Sequence, residues 1–263
     1  MDSFQIYIDE TYPEILNDTV TTTIEDIDDK VKQLVQMILA AKYCVFYTGA
    51  GVSTSSGLPD YRGPNGVWTK RKNGDESWTQ DQKRLRSPDI QPSTVHINIY
   101  ELVNRGCVKS VITTNIDGLH VASGLQRKFN LIELHGNKYV QECRKCNYED
   151  YNRDEHQTNN LCPKCGAPFY DNILNFGQTY MDVPSYEHQY DRAFVEVCRA
   201  DLIVVWGSSL TVPDGCDLVD YVVDRGYPLF IINKQKTPKD KLATITINAD
   251  CEYVLKSVIH QLV

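Results

Sequence analysis

The sequence predicts an α/β fold, a parallel sheet covered by helices on both faces, with a small cysteine-bearing module inserted into it. Three observations point there. Short runs that are apolar throughout recur between helical patterns, as in "YCVFYT" at 43–48, "LIVVWG" at 202–207 and "YPLFIIN" at 227–233. Strands without polar alternation are buried on both faces, which is the condition of a parallel sheet between helix layers. The first run ends in Gly49-Ala50-Gly51, a tight turn of the kind that opens a dinucleotide site. Two Cys-x-x-Cys pairs then fall inside residues 138–170.

Taken in order, residues 1–26 are assigned to an N-terminal extension. Ile27, Val31, Leu34, Val35, Ile38 and Leu39 then make one stripe of an amphipathic helix that leads into the run at 43–48. "CVKSVITT" before Asn115 and "TITIN" at 244–248 complete the strand candidates, and helices are expected over 187–200 and 214–225. Gly49, Asn115, Gly207 and Asn233 follow strands. In an open α/β sheet ligands bind outside the carboxyl ends of strands, so these residues should face one cleft. Residues 27–137 and 171–263 are assigned to the sheet domain, with a loop over about 58–95. Residues 138–170, richer in charge and turn formers, form the module.

The chain holds nine cysteines, an odd number, and its first residues are acidic where a secretory leader would be basic, so a disulfide framework is disfavoured. Cys143 and Cys146 are two residues apart, as are Cys162 and Cys165, with 15 residues between the pairs. That spacing lets two turns aim four thiolates at one tetrahedral zinc ion. With all four positions filled by cysteine the site is closed, and the metal is structural. Cys44, Cys107, Cys198, Cys216 and Cys251 read as small buried hydrophobes. A net charge of −8 argues against direct nucleic-acid binding, and no apolar run reaches the roughly 20 residues of a membrane span. An intracellular chain is expected.

A plain dinucleotide-binding dehydrogenase is disfavoured, because Thr54 stands where the third glycine of the fingerprint belongs and hydride transfer needs no zinc insertion. Around the turn lie "PDYRGPNGVW" after it, "TNIDGLH" at 114–120, "ELHG" at 133–136, the four cysteines, "FG" at 176–177, "GSS" at 207–209 and "IIN" at 231–233. In this order, from about residue 30 onward, the chain resembles the sirtuins, a family of NAD-dependent protein deacylases. "DYRGPNGVWT" and "NKQKTPKD" are most similar to its class IV branch, which holds nuclear and nucleolar members.

The resemblance implies a Rossmann-like domain and a small zinc-ribbon domain, with NAD and an acyl-lysine peptide meeting between them. It implies that Gly49, Ala50, Gly51 and Ser53 hold the diphosphate, and that Asp60, Tyr61 and Arg62 belong to a loop folding over NAD, with Trp68 bordering the acyl pocket. Thr114, Asn115, Ile116 and Asp117 would line the nicotinamide and its ribose. Gly207, Ser208, Ser209, Asn233, Lys234, Gln235 and Cys251 would serve the adenosine end. Phe176 and Gly177 would lie beside the peptide substrate, histone tails being one candidate. His135 and Asn115 would be the catalytic pair. In the family's reaction the acyl oxygen displaces nicotinamide, and a histidine then helps a ribose hydroxyl attack. An imidazole suits that proton transfer at neutral pH, and Gly136 is expected to leave space beside it.

Two positions depart from the family pattern. Gln178 replaces the usual glutamate, and Thr114 replaces the glutamine of Gln-Asn-x-Asp, which predicts weakened ribose contacts. Protein mono-ADP-ribosyl transfer, which shares the NAD cleavage, and a weakly active NAD-binding recruitment module are the alternative functions. His96 and His120 receive no role, and His156 and His188 read as surface residues. Nuclear placement rests on the resemblance alone, since "KQKTPKDK" is only a weak basic stretch.

Overall fold

The structure, a computed structural model, describes residues 23–85, 87, 89–151, 161–174 and 183–262. The first 22 residues of the expected extension, together with His156, Phe176, Gly177 and Gln178, lie outside the described residues.

Helix α1 (Ile24–Ala40) opens where the Thr23 side chain accepts the Asp26 N–H, an N-cap that satisfies one otherwise unpaired amide. It begins three residues earlier than the apolar stripe alone suggested, and buries Ile27, Val31, Leu34, Val35 and Ile38. A six-stranded, wholly parallel sheet follows, in the order β3 (Leu131–Glu133), β2 (Ser110–Thr113), β1 (Cys44–Thr48), β7 (Leu202–Trp206), β8 (Leu229–Ile232), β9 (Ile245–Ile247). The chain runs outward from β1 to β3, then returns beside β1 as β7 and runs outward again. The order therefore reverses between β1 and β7, so the carboxyl ends of these two strands frame the crevice of a Rossmann-like fold.

Successive residues of a strand face opposite sides, and here both sides are dry. Cys44 and Phe46 of β1, with Val204 and Trp206 of β7, pack under α1, α4 (Thr94–Asn104) and α8 (Cys251–Leu262). Val45 and Tyr47, with Ile203 and Val205, pack under α6 (Pro184–Arg199) and α7 (Pro213–Asp224). Helices α6 and α7 match the expected 187–200 and 214–225, whereas α4 and α8 are additional to them, and the expected loop over about 58–95 contains two short helices, α2 (Val67–Lys72) and α3 (Trp78–Leu85). The run "CVKSVITT" is strand only from Ser110, because Gly106 turns the chain at φ +75° after α4.

Between β3 and α6 the chain builds a second, antiparallel sheet in the order β5 (Tyr148–Tyr151), β4 (Val140–Cys143), β6 (Tyr170–Asp171). It carries the four paired cysteines at and beyond the ends of its strands.

Candidate functional site

The loops beyond β1 and β7 meet back to back. Gly51 N–H donates to the Gly207 carbonyl at 2.8 Å, and Gly207 N–H donates to Ile232 at 2.8 Å. A Cβ on Gly49 would lie 2.8 Å from the Gly207 carbonyl oxygen, and one on Gly51 2.7 Å from the Gly207 Cα. These glycines are thus required first by contact between two loops of the protein itself, a demand that approach to a diphosphate can only add to.

Beside this junction lies a cavity of about 410 Å³, within the usual range for small-molecule sites. Every strand end expected to face the cleft contributes to it. Gly49, Ala50 and Gly51 come from the β1 loop, with Asp60, Tyr61 and Arg62 after it. Thr114, Asn115 and Ile116 follow β2, and His135 follows β3. Gly207, Ser208 and Ser209 follow β7, Asn233, Lys234 and Gln235 follow β8, and Cys251 starts α8. Ser53, Trp68 and Asp117 do not line it. They line an adjoining cavity of about 190 Å³ that shares Ala50, Tyr61, Asn115 and Ile116 with the first.

Sequence reasoning missed several lining residues. Thr54 was read only as an absent glycine, yet it lines the larger cavity. Asp250 lines it too, paired with Lys234 at 2.7 Å, and nothing local announces a pair 16 positions apart. Leu210 sits at φ +50°, its N–H held by the Ser208 hydroxyl at 3.2 Å. A side chain other than glycine at such an angle costs roughly 1–2 kcal/mol, which here turns the chain from the β7 loop toward α7.

Behind the cavity is a buried polar node. Ser53 Oγ donates to Asp117 Oδ2 at 2.7 Å and accepts from Asn115 Nδ2 at 3.2 Å, while Asn115 Nδ2 also reaches the Gly49 carbonyl at 3.0 Å. Leu119 N–H donates to Asp117 Oδ1 at 2.9 Å, so Asp117 closes its own turn as well. His96 accepts the Ser93 N–H at Nδ1, which leaves its proton on Nε2, 3.4 Å from Ser53 Oγ. His120 Nε2 meets Thr48 Oγ1 at 2.9 Å, and the two imidazoles pack edge to face with centroids 4.8 Å apart. Burial pushes both rings down to about 3, so each is neutral at physiological pH. Of the two histidines left without a role, His96 thus reaches the serine that holds Asn115 and Asp117, and His120 packs against His96. His188 is exposed, as expected.

His135 is half-buried at the end of β3, where Leu174 N–H donates to its carbonyl at 3.0 Å. Gly136 adopts φ +80°, and a Cβ there would collide with the Asn172 carbonyl. The expected open space beside the histidine is therefore filled by the segment after β6. Glu133, two residues before His135, is buried, and burial raises its carboxyl to about 7 against the pull of Arg127 at 2.6 Å.

The four cysteines Cys143, Cys146, Cys162 and Cys165 place all their Sγ atoms within 4.8 Å of one another, with contacts of 3.4 and 3.5 Å. Disulfides would need about 2.05 Å. A zinc ion with Zn–S bonds of about 2.3 Å would set tetrahedral edges of roughly 3.8 Å, which the cluster fits. Each pair ends in a left-handed residue, Asn147 at φ 54° and Gly166 at φ 70°, whose preceding turn is closed by a 2.8 Å bond to the carbonyl of Cys143 or Cys162. This is how each knuckle aims its thiols. Of the other five cysteines, Cys44 and Cys251 are buried and Cys107, Cys198 and Cys216 half-buried.

Residues 69–214 match the model of the Sir2 family. The chain is 34% identical to the NAD-dependent protein deacetylase of Sulfurisphaera tokodaii over 88% of its own length and 94% of that protein. The chain belongs to the Sir2 family. Within it, the sequence is 36% identical to the NAD-dependent protein deacetylase SRT1 of Arabidopsis thaliana, covering 89% of this chain and 49% of that one. It is 34% identical to human NAD-dependent protein deacetylase sirtuin-7, covering 90% and 61%. The chain thus spans about half to three-fifths of the length of these two relatives. Among solved structures, a Sir2 protein with a deacetylated p53 peptide and 3'-O-acetyl ADP-ribose superposes with a TM-score of 0.69 at 30% identity, over 88% of this chain and 98% of that one. A Sir2–p53 peptide–NAD+ complex gives 0.68 at 30% identity, over 88% and 98%.

Proposed function

We propose that this Sir2 chain is an NAD-dependent protein-lysine deacylase acting on acetylated proteins. The single observation that carries the reading is that His135, Asn115 and the glycine and serine loops beyond β1 and β7 open onto one cavity. The names of its relatives, NAD-dependent protein deacetylases, support it. So does the product bound in the neighbouring structure, 3'-O-acetyl ADP-ribose.

When bound, NAD supplies a ribose carbon with nicotinamide as its leaving group. The β1 and β7 loops, through Gly49, Ala50, Gly51, Gly207, Ser208 and Ser209, hold the cofactor, with Ser53 bracing the turn from behind. Asn233, Lys234, Gln235 and Cys251 bind its adenosine end. Asn115 and Asp117, fixed by Ser53, orient the reacting end with Thr114 and Ile116, and Asp60, Tyr61, Arg62 and Trp68 close over it and shut out water. His135 accepts a proton from a ribose hydroxyl, since imidazole is partly unprotonated at neutral pH. The cysteine cluster holds one zinc ion in a closed structural site. Phe176 and Gly177, which lie outside the described residues, are assigned to the acyl-lysine peptide by the family resemblance. Similarity to sirtuin-7 supports the class IV assignment; histone tails as substrates and a nuclear location rest on the family resemblance alone. A net charge of −8 argues against direct binding to nucleic acid. Among the described residues no helix is long and apolar enough to cross a membrane.

The test is mass spectrometry of zinc-loaded protein with NAD and an acetylated histone peptide, beside His135→Ala. Matched loss of acetyl and release of nicotinamide and acetyl-ADP-ribose, cut by at least about 100-fold in the variant, is expected. Nicotinamide release without loss of acetyl would replace the reading with ADP-ribosyl transfer, and silence in both channels would leave a recruitment module.

A further inference from the structure

His135 hangs from one of the two short edge strands of the large sheet. Strand β3 is three residues long, lies at the sheet edge and pairs only with β2, so hydrogen bonding along one side is all the sheet itself offers to fix its end. Arg192 Nη2 donates to the Leu131 carbonyl at 3.4 Å, and a chain of polar side chains adds to this at the end of the strand. Arg127, in the segment between α5 (Leu119–Ala122) and β3, reaches Glu133 Oε2 through Nε at 2.6 Å and Glu149 Oε2 through Nη1 at 3.0 Å. Glu133 ends β3, while Glu149 belongs to β5 of the cysteine module. The other oxygen of Glu133 accepts from Asn137 Nδ2 at 2.7 Å. Asn137 N–H donates to Asn172 Oδ1 at 3.1 Å, and Asn172 Nδ2 donates to Glu142 Oε2 at 3.3 Å, beside Cys143 on β4. Glu133 and Asn137 lie two residues to either side of His135, so both ends of its turn are tied to the module.

We propose that Arg127 is a positioning residue for His135, joining the edge strand that carries the histidine to β5 so that the cysteine module sets where the imidazole stands in the cavity. Arginine is suited to this because its planar fork presents separate N–H groups to two carboxylates at once, which a lysine ammonium on a flexible stem does not hold in fixed geometry. Its side chain is 13% exposed and that of Glu133 2%, so the pair is shielded from the solvent screening that weakens surface ion pairs. A displacement of about 1 Å in a reacting group can lower a rate by about 100-fold, so a clamp of this kind acts on turnover.

The inference rests on the deacylase reading for its kinetic arm and is tested with zinc-loaded protein carrying Arg127→Met, Arg127→Lys or Glu149→Gln. Arg127→Met should lower kcat for acetyl-lysine loss by about 10- to 100-fold, with KM for NAD within about twofold. Amide hydrogen exchange at residues 134–137 should accelerate while that of β1 and β7 stays unchanged. Arg127→Lys should recover part of the rate. Glu149→Gln, a milder change on a partly exposed side chain that leaves the Arg127–Glu133 pair intact, should show the same pattern at smaller amplitude; it also keeps the test alive if Arg127→Met does not fold. Unchanged kcat with unchanged exchange at 134–137 would overturn the proposal, as would a loss spread evenly over NAD binding and the exchange of the whole sheet. Wild-type protein without NAD-dependent activity would sink the deacylase reading instead, and exchange at 134–137 would still decide whether Arg127 is a clamp.

Discussion

In the six-stranded sheet, β1, β2, β7 and β8 are buried at every residue; in the three-stranded sheet, β5 runs from half-buried to exposed and β6 is exposed at both positions. The first sheet lies between two apolar layers, one holding Phe46, Trp206 and Phe230 and the other Tyr47, Val205 and Ile231. The second has cysteines among its few buried residues. A large sheet excludes enough water to stand on the hydrophobic effect, whereas three short strands of four, four and two residues around four thiols cannot and need a covalent or metal anchor. The same chain thus uses two independent means of support, and the catalytic histidine of the proposed mechanism sits where they meet.

The largest expected effect strikes the module. Structural zinc contributes an apparent 10–16 kcal/mol in small modules at neutral pH, more than these strands offset. Stripping metal with a chelator, or substituting Cys162→Ser, should abolish exchange protection across 140–151 and 161–171 while β1, β7 and β8 keep theirs. Simultaneous opening of β7 and β8 in hydrogen-exchange mass spectrometry would show that the two supports are not independent.

Acid separates the regions from the other side, through the polar node of the large sheet. His96 and His120, held down to about 3, stay neutral while the unfolded chain protonates below 6.5. Their share of stability is complete above pH 6.5 and is lost as the pH falls toward 3, at about 1.4 kcal/mol per pH unit for each ring. Glu133, raised to about 7 from 4.5, works in the opposite sense: its share is present below 4.5 and lost as the pH rises through 7. Between 6.5 and 4.5 two losses oppose one gain, a net fall of about 1.4 kcal/mol per unit on acidification. Urea midpoints of zinc-loaded protein measured across this range should show that slope, and His120→Asn should flatten it. A slope unaltered by that substitution would mean the node is not the acid-sensitive element.

The smallest effect concerns the sheet's rim. Thr114 lines the cavity, where its backbone N–H is bound to the Thr48 carbonyl at 3.1 Å, so a longer side chain can be introduced without disturbing that tether. Thr114→Gln, restoring the amide of the family pattern, should raise kcat/KM by about two- to tenfold, the worth of one added hydrogen bond. No gain in steady-state turnover would mean that the cavity already supplies that contact from elsewhere.

Much of this was written locally. The apolar runs foretold β1, β7 and β8 because a fully buried strand leaves no polar alternation to hide it, and the cysteine spacing foretold one four-thiol cluster because each knuckle is a turn of a few residues. Even α8 was legible in principle: buried Cys251, Val254, Leu255 and Val258 follow the i, i+3, i+4, i+7 rule. What lay beyond reach were contacts between distant segments. The glycines at 49 and 51 could be seen to permit close approach, but not that the approaching atoms are those of Gly207. Gly136 could be seen beside the histidine, but not the Asn172 carbonyl that fills its space. His96 and His120 are 24 positions apart and meet only once α4 and α5 pack together.

By itself, then, the sequence determined the kind of fold, the metal cluster and which strand ends carry polar loops, since periodicity and short spacings are properties of neighbouring residues. Only the tertiary structure decided which loops touch, which histidines are neutral and what holds His135 in place, because hydrogen bonding and desolvation depend on the groups that folding brings together from far along the chain.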